Sequence, residues 1–598
     1  MQLTGNALKV LKARYLLKNE KGDIIESPKE MFLRVAHAVA SSEALYGGDT
    51  GEWETKFYEA MSNLLFLPNT PALINAGKDI GQLAACFVLP VDDSMKSIFD
   101  SLKNAALILQ SGGGTGFSFS HLRPRSDIVK STGGIASGPV SFMKIYNTAT
   151  EVIKQGGARR GANMGILRVD HPDILEFIRI KQNEEELLNF NISVAVTDTF
   201  MNALKNDTAY SLLNPRSMRK TGYVKASKVF NEIVESAWET GDPGLVFIDR
   251  INRDNPTPHM GKIESTNPCG EQPLLPFESC VLGSINLSKI VLKKGSRTKG
   301  FKDSSERKRS FSTPRPLDPL TPNYDIDWNL LAYLISLSVR FLDNVIDVNK
   351  YPLPEIEKMH KGNRKIGLGV MGWADMLIKL GIRYNSKKAF KLAREVMSFI
   401  REKAREASSG LAAQRGVFSN FKGSIYDTLE ISSRGGLRNA TMTTIAPTGT
   451  LSIIAGCSSG IEPLFAIAFK RHVLDTELYE IHPYFIEIAK KRGFYSTELI
   501  KKIGSKTSLR GFREIPKDVK RLFITAHEIS PEDHIEVQSG FQEFTDNAVS
   551  KTVNLKHRAT RNDVEKAFML AYEKGCKGIT VFRYGSKPGT MVKLEDVD

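Results

Sequence analysis

From Leu67 onward the chain alternates short apolar runs with amphipathic helical stretches, and this alternation restricts the fold more than any other feature. Strands taking turns with helices over some five hundred residues read as an α/β protein with largely parallel strands. Leu83 to Leu89 looks like a buried strand, and Phe99, Leu102, Ala105, Ala106 and Leu109 recur at helical spacing after it. Glycine-rich loops are expected at Gly112–Gly116 and Gly156–Gly161. A helix is expected from about Trp328 to Val348. A late one, with Val564, Phe568 and Ala571 on one face, should stop at Gly575 before a strand at Gly578–Arg583. Residues 1–65 read differently, as helices with short polar connectors, broken at Gly48-Asp49-Thr50-Gly51. The division expected is therefore an N-terminal helical domain over 1–65 and one large α/β domain over 66–598.

Composition removes several function classes. No apolar run approaches the roughly 18 residues of a membrane span, and the start Met1-Gln2-Leu3-Thr4 carries no export signal, so a cytoplasmic protein is expected. The net charge of +15 invites a nucleic-acid reading, but residues 293–323 alone hold nine Lys and Arg against three acidic residues. What remains is a mild excess that attracts phosphorylated small molecules as readily as nucleic acid, and no nucleic-acid partner is expected. The 293–323 segment lacks apolar periodicity and reads as an exposed basic insertion.

Five cysteines, Cys86, Cys269, Cys280, Cys457 and Cys576, are too few for a disulfide scaffold. None forms a C-x-x-C pair and none has histidine at zinc-finger spacing, so no metal site is expected. Cys269 stands out. It lies in Ser265-Thr266-Asn267-Pro268-Cys269-Gly270-Glu271-Gln272-Pro273-Leu274, where flanking Pro and Gly exclude a helix interior or central strand and put the thiol at a loop tip. A free thiol titrates near pH 8.5 and Glu near 4.3, so at neutrality the sulfur keeps its proton while the Glu271 carboxylate can take one. From composition alone, a turn that happens to contain cysteine is an equal reading.

The Asn267-x-Cys269-x-Glu271 pattern resembles the finger loop of ribonucleotide reductases, in which the cysteine becomes a transient thiyl radical. The resemblance runs from about Phe66 to Arg583 and includes Pro68-Asn69-Thr70-Pro71, Ala85-Cys86, Gly112–Gly116, Gly161-Ala162-Asn163-Met164-Gly165 and Ala446-Pro447-Thr448-Gly449-Thr450. It implies a ten-stranded α/β barrel built from two parallel five-stranded halves, with the finger loop threaded through it. It implies Cys86 and Cys280 as the redox pair that reduces the ribose, and Asn267 and Glu271 as groups that orient it and move its protons. Cys457 and Cys576 match no family role and are given structural status.

The same resemblance implies substrate contacts at Thr70, Ala85 and Gly114 around the nucleoside. It puts phosphate contacts along Pro447-Thr448-Gly449-Thr450-Leu451, where proline would open a helix and its first N–H groups suit an anion. Asp93, Ser94 and Arg123 match positions that bind an effector nucleotide. The run Gln155–Asn163, with Arg159 and Arg160, resembles the loop that relays effector identity. Only about 65 residues precede the barrel motifs, so specificity control without an on/off module is expected. One decoy is set aside. Gly367-Leu368-Gly369-Val370-Met371-Gly372 fits G-x-G-x-x-G, but Asn363–Ile366 is no hydrophobic strand, and it reads as a tightly packed glycine turn.

Iron-dependent relatives receive their radical through adjacent tyrosines on a late strand, and Gly578–Arg583 contains none. The interval of eleven residues between Cys269 and Cys280 is similar to that of the cobalamin-dependent class. The resemblance therefore implies adenosylcobalamin as cofactor, with no Asp-x-His-x-x-Gly motif to ligate its cobalt. It also implies ribonucleoside diphosphates as substrates, dNTP or ATP effectors, a dithiol reductant and a homodimer. No cysteine pair stands near Asp598, so either the sequence is a truncated one or another protein supplies the thiols that regenerate the redox pair. Other readings remain: a catalytic subunit fed by a metal-containing partner, a nucleotide-sensing homologue without chemistry, and a glycyl-radical enzyme around Arg583-Tyr584-Gly585.

Overall fold

The computed structural model describes residues 3–586 apart from 130–132, 154–160, 183–185, 294–323, 474–475, 505 and 507. Three helices come first, α1 (Gly5–Arg14), α2 (Pro28–Ala40) and α3 (Thr50–Ser62). Each starts at a capping residue. The Thr4 hydroxyl accepts from the Ala7 N–H, Ser27 and Glu30 form a reciprocal capping box ahead of Pro28, and Asp49 caps α3. Their buried residues, such as Met31, Phe32, Val35 and Phe57, join the main hydrophobic core.

A ten-stranded sheet follows: β1 (Phe66–Pro68), β2 (Cys86–Leu89), β3 (Gly114–Ser118), β4 (Asn163–Arg168), β5 (Phe190–Val196), β6 (Gly244–Phe247), β7 (Ser279–Asn286), β8 (Ile366–Met371), β9 (Thr552–Leu555) and β10 (Gly578–Arg583). Strands β2 to β6 pair in chain order and all in parallel, which makes one five-stranded half. The second half starts with β7 parallel to β8. It continues through parallel bridges Leu368–Thr443 and Ile445–Val549 and ends with β9 parallel to β10. Two antiparallel seams join the halves, β2 with β7 and β6 with β10, so the ring closes. This is the barrel of two parallel halves that the sequence implied. Nearly continuous burial along β7 and β8 is what strands covered on both faces require.

Helices pack outside. Those used below are α4 (Met95–Gln110), α5 (Trp328–Val348), α6 (Lys387–Arg415), α7 (Gly449–Ala455) and α8 (Arg561–Glu573). The α5 limits are those expected from the sequence, and α8 ends before Gly575, whose φ of +82° takes the chain into β10. A buried charge network ties the N-terminal layer to the barrel. Glu43 is 1% exposed and meets Arg340 and Arg415, each at 2.7 Å. Fully buried Asp343 on α5 meets Arg364 at 2.8 Å, Arg415 at 3.1 Å and Arg438 at 3.4 Å.

Three local expectations are corrected. Only Cys86–Leu89 of the 83–89 run is strand, because Leu83 gives its N–H to Asn349 and its carbonyl to Asn69, leaving no ladder groups. Gly114–Gly116 belongs to β3 and not to a loop. Gly367–Met371 is strand β8 and not a turn, and only Gly372, at φ +77°, turns the chain. Most of Gly156–Gly161 and all of 294–323 lie outside the described residues. The flanks of that second stretch, Val291–Lys293 and Tyr324–Ile326, pair as an antiparallel hairpin with Lys293 opposite Tyr324.

Candidate active site

Ser265–Thr266 pairs with Pro273–Leu274, and the hairpin carries residues 267–272 at its tip inside the barrel. The tip closes on itself. Asn267 N–H donates to the Gln272 carbonyl at 3.1 Å, and Gly270, at φ +79°, donates to the Asn267 carbonyl at 3.0 Å. Neighbouring strands then grip the tip. Asn191 donates to the Pro268 carbonyl at 2.7 Å, while Ala548 N–H and the Thr444 hydroxyl donate to the Glu271 carbonyl at 3.0 and 2.9 Å.

Room for this loop comes from strand glycines. A Cβ on Gly116 would lie 1.8 Å from the Thr266 carbonyl oxygen, and one on Gly114 would meet Pro268 at 3.1 Å. A Cβ on Gly367 would meet Gln272 at 2.7 Å, and one on Gly369 would sit 2.3 Å from the Thr444 carbonyl. Glycine inside a strand marks a close approach; at Gly114, Gly116 and Gly367 it is to the finger, and at Gly369 to the backbone of the neighbouring Thr444.

Cys86 and Cys280 are register partners across the β2/β7 seam. Partners on an antiparallel pair have Cα atoms about 4.5–5.5 Å apart, inside the range of about 4.4–6.8 Å that a disulfide spans. Burial pushes both thiols well above the ordinary cysteine range. At Cys86 the neighbouring Glu271 adds to the rise, while the hydrogen bond from Asn267 opposes it. The Asn267 amide donates to Cys86 Sγ at 3.1 Å and so joins the finger to the redox pair.

A cavity of about 240 Å³ brings the expected residues together. Asn267, Cys269, Glu271 and Cys86 line it, as do Thr70, Ala85 and Gly114. Pro447, Thr448, Gly449, Thr450 and Leu451 form another wall. Cys280 is not among its lining residues; it lies behind Cys86. The helix start there differs from the sequence reading. Pro447 precedes the cap, Thr448 turns at φ +54°, and its hydroxyl accepts the Gly460 N–H at 2.7 Å. The left-handed turn at Thr448 places Gly449, and not proline, in the first helical turn.

Sequence reasoning missed Arg14 and Tyr15. Arg14 lines the cavity from the last turn of α1, which packs on α7, and the Tyr15 hydroxyl is 2.9 Å from Thr70 Oγ1. No motif marks them; only the docking of α1 brings them in.

Cys269 is exposed because it faces two spaces. On its other side a cavity of about 680 Å³ is walled by Gly270, Asn191, Ser193, Gly244 and the β9 and β10 strands. A third space of about 590 Å³ shares Phe465, Thr552 and Asn554 with it. There Asp375 holds His482 Nε2 at 2.9 Å, and His482 Nδ1, buried, has no hydrogen-bond partner among the described residues. Tyr584 also lines the 680 Å³ cavity, just beyond the tyrosine-free β10. Cys457 borders the third space and Cys576 is buried.

The expected effector residues lie elsewhere. Asp93 Oδ2 and Arg123 NH2 pair at 2.9 Å, and Ser94 caps α4 by accepting the Ser97 N–H at 3.1 Å. Arg159 lies outside the described residues. Nearby, His121 bridges Asp92 at 3.1 Å and Glu264, at the root of the finger hairpin, at 3.0 Å.

Residues 84–582 match the ribonucleotide reductase barrel domain family and residues 1–81 its all-alpha domain family. The chain is 48% identical to the vitamin B12-dependent ribonucleoside-diphosphate reductase of Thermoplasma acidophilum, covering 98% of this chain and 80% of that protein. It is 45% identical to the enzyme of that name from Mycobacterium tuberculosis, over 99% of this chain and 81% of the other. A class Id ribonucleotide reductase alpha subunit from Actinobacillus ureae shares the fold, with a TM-score of 0.76 at 23% identity over 98% of this chain and 97% of that one. With both its barrel and its helical layer matched, the chain belongs to the ribonucleotide reductase family.

Proposed function

We propose that this chain is an adenosylcobalamin-dependent ribonucleoside-diphosphate reductase that makes deoxyribonucleotides by thiyl-radical chemistry. The observation that carries the reading is that Cys269 forms the wall between two cavities, one lined by the expected substrate residues and a larger one on its far side.

The larger space suits a bulky polar cofactor. With its neighbour it exceeds the usual small-molecule pocket of about 300–1,000 Å³. Its walls are rich in glycine, serine and threonine, and the adjoining space holds the unpartnered His482 Nδ1. Gly244, Ser193, Asn554, Gly578 and Thr580 would hold the cofactor beside the finger. When bound, adenosylcobalamin supplies a carbon radical able to take hydrogen from a thiol.

The chain's own residues do the rest. The Cys269 thiyl takes the 3′ hydrogen while the Glu271 carboxylate accepts the 3′-hydroxyl proton and Asn267 orients the ribose. The 2′ hydroxyl leaves as water with a proton from Cys86, whose raised pKa keeps it a thiol at neutrality. The Cys86/Cys280 pair then delivers two electrons and its second proton to the sugar and closes to a disulfide; Glu271 returns its proton to the 3′ oxygen, and Cys269 returns its hydrogen to the 3′ carbon. With both cavities filled, water is kept from the radical. Asp93 and Arg123 serve an effector nucleotide, an external dithiol restores the pair, and the chain works as a homodimer.

The test is the purified chain with adenosylcobalamin, a dithiol, an effector and ribonucleoside diphosphate, without a second protein. Deoxyribonucleoside diphosphate is expected, together with a sulfur-radical resonance signal, and both vanish in Cys269→Ala. Product that forms only when a metal-containing partner is added would overturn the reading.

A further inference from the structure

Cys280 has a neighbour on each side in the sheet. Across the antiparallel seam stands Cys86. On the other side β8 runs parallel with Ile366 opposite Val281, so Lys365, the residue before Ile366, falls beside Cys280. Residues in register share a face of the sheet, which makes Cys86, Cys280 and Lys365 a row. Glu278, two residues before Cys280, lies on the same face of the extended chain. It holds Lys365 Nζ at 2.6 Å, with each side chain 1% exposed. Glu278 also takes the Leu275 N–H at 2.7 Å and the Asn363 amide. Burying such a pair gains little stability over an apolar replacement, so its place beside a redox thiol asks for another explanation.

Access is one-sided. Cys86 lines the 240 Å³ cavity, whereas Cys280 is fully buried behind it. We propose that Lys365 is a positioning residue for regenerating the redox pair: an external dithiol attacks Cys86 from the cavity, and Cys280 leaves as a thiolate held against the Lys365 ammonium. The inference rests on the function proposed above and deepens it.

The exchange balances. One reductant thiol loses its proton to solvent and its sulfur bonds to Cys86, breaking the Cys86–Cys280 bond. Cys280 departs with the electron pair and then takes up a proton. The second reductant thiol, also deprotonated, displaces Cys86, which is protonated in turn. The dithiol ends as a disulfide and the pair as two thiols. A leaving thiol of lower pKa departs faster. The charged groups facing Cys280 are Lys365, Glu278 and Glu271; burial raises its pKa, and Lys365 is the one that opposes the rise. At Cys86 the Asn267 hydrogen bond, and not a cation, opposes the rise among the described residues, so the full charge of Lys365 makes Cys280 the better leaving group.

The full chain, with its pair oxidised and no nucleotide or cofactor added, is exposed to glutathione together with an alkylating agent and mapped by mass spectrometry. Glutathione on Cys86 and alkyl on Cys280 are expected; the reverse pattern overturns the proposal. In parallel, the rate of reduction by dithiothreitol is followed against pH. Lys365→Met combined with Glu278→Gln, which leaves no buried charge alone, should slow it roughly tenfold, while Lys365→Arg keeps most of the rate. A folded double variant reduced as fast as the parent would also overturn it. Should that variant not fold, the adduct map on the unaltered chain still decides. Neither readout needs reductase turnover, so a chain that exchanges as expected yet makes no deoxynucleotide would sink the functional reading alone.

Discussion

The Asn267 side chain works in two directions. Its amide donates to Cys86 Sγ, and its carbonyl takes the Gln272 N–H at 3.0 Å, so the same group shapes the finger and addresses the redox pair. His121 has a comparable double attachment, to Asp92 and to Glu264. The hydrogen bond it donates to the Glu264 carboxylate is the main cause that lifts its pKa to about 9, against the opposing effect of burial. A histidine raised in this way stabilises the fold fully below its ordinary value near 6.5, and the contribution fades as pH rises toward about 9. The melting temperature of the parent should therefore converge on that of His121→Gln between those limits. A difference that stays constant with pH would refute this, and solvent around the half-exposed ring keeps the effect small. At this scale the family motifs brought forward Cys269, Glu271 and the pair Cys86 and Cys280, and the fold gathers these side chains in one place. The sequence was silent on Arg14 and Tyr15, whose presence at the cavity depends on how α1 docks and leaves no local pattern.

Among the elements, the glycine-bearing strands were the hardest to read. Gly114, Gly116, Gly367 and Gly369 suggest turns because glycine weakens a strand that stands alone. Each instead faces a backbone or side chain that passes too close for a Cβ, a tertiary fact with no local signature. Capped helices were easier: α5 and α8 carry both their periodicity and their end signals. The contrast can be measured. Gly116→Ala must displace the Thr266 carbonyl, so it should cost about 3 kcal/mol or more in denaturant unfolding and abolish turnover. Gly410→Ala, in α6 with open space around it, should stabilise by about 0.5–1 kcal/mol. Equal responses at the two sites would show that the close approach of the finger does not matter.

For the molecule as a whole, alternation of strands and helices foretold an α/β protein with largely parallel strands and the family resemblance a barrel, and the two antiparallel seams explain how two parallel halves join. The buried charges that attach the helical layer were not foreseen, since Glu43, Asp343, Arg415 and Arg438 are far apart in sequence. Removing Asp343 leaves Arg364, Arg415 and Arg438 without their shared carboxylate. Asp343→Ala should cost about 3–5 kcal/mol, read as a lower midpoint in urea. Burial alone would raise the Asp343 pKa, but Arg364 and Arg438 outweigh it and hold the carboxyl below its ordinary value. Its contribution is therefore complete above about pH 4 and is lost as the medium becomes more acidic, so Asp343→Asn should flatten the acid limb of stability against pH.

The short hairpin of Val291–Lys293 with Tyr324–Ile326 has a practical meaning. The polypeptide departs from the body at Lys293 and comes back at Tyr324, its partner in the hairpin, so a short turn can join the two points in place of the thirty residues numbered 294–323. Splicing Asn-Gly in their place should leave both the melting temperature and deoxynucleotide output unchanged, and the same socket would accept a foreign tag or domain.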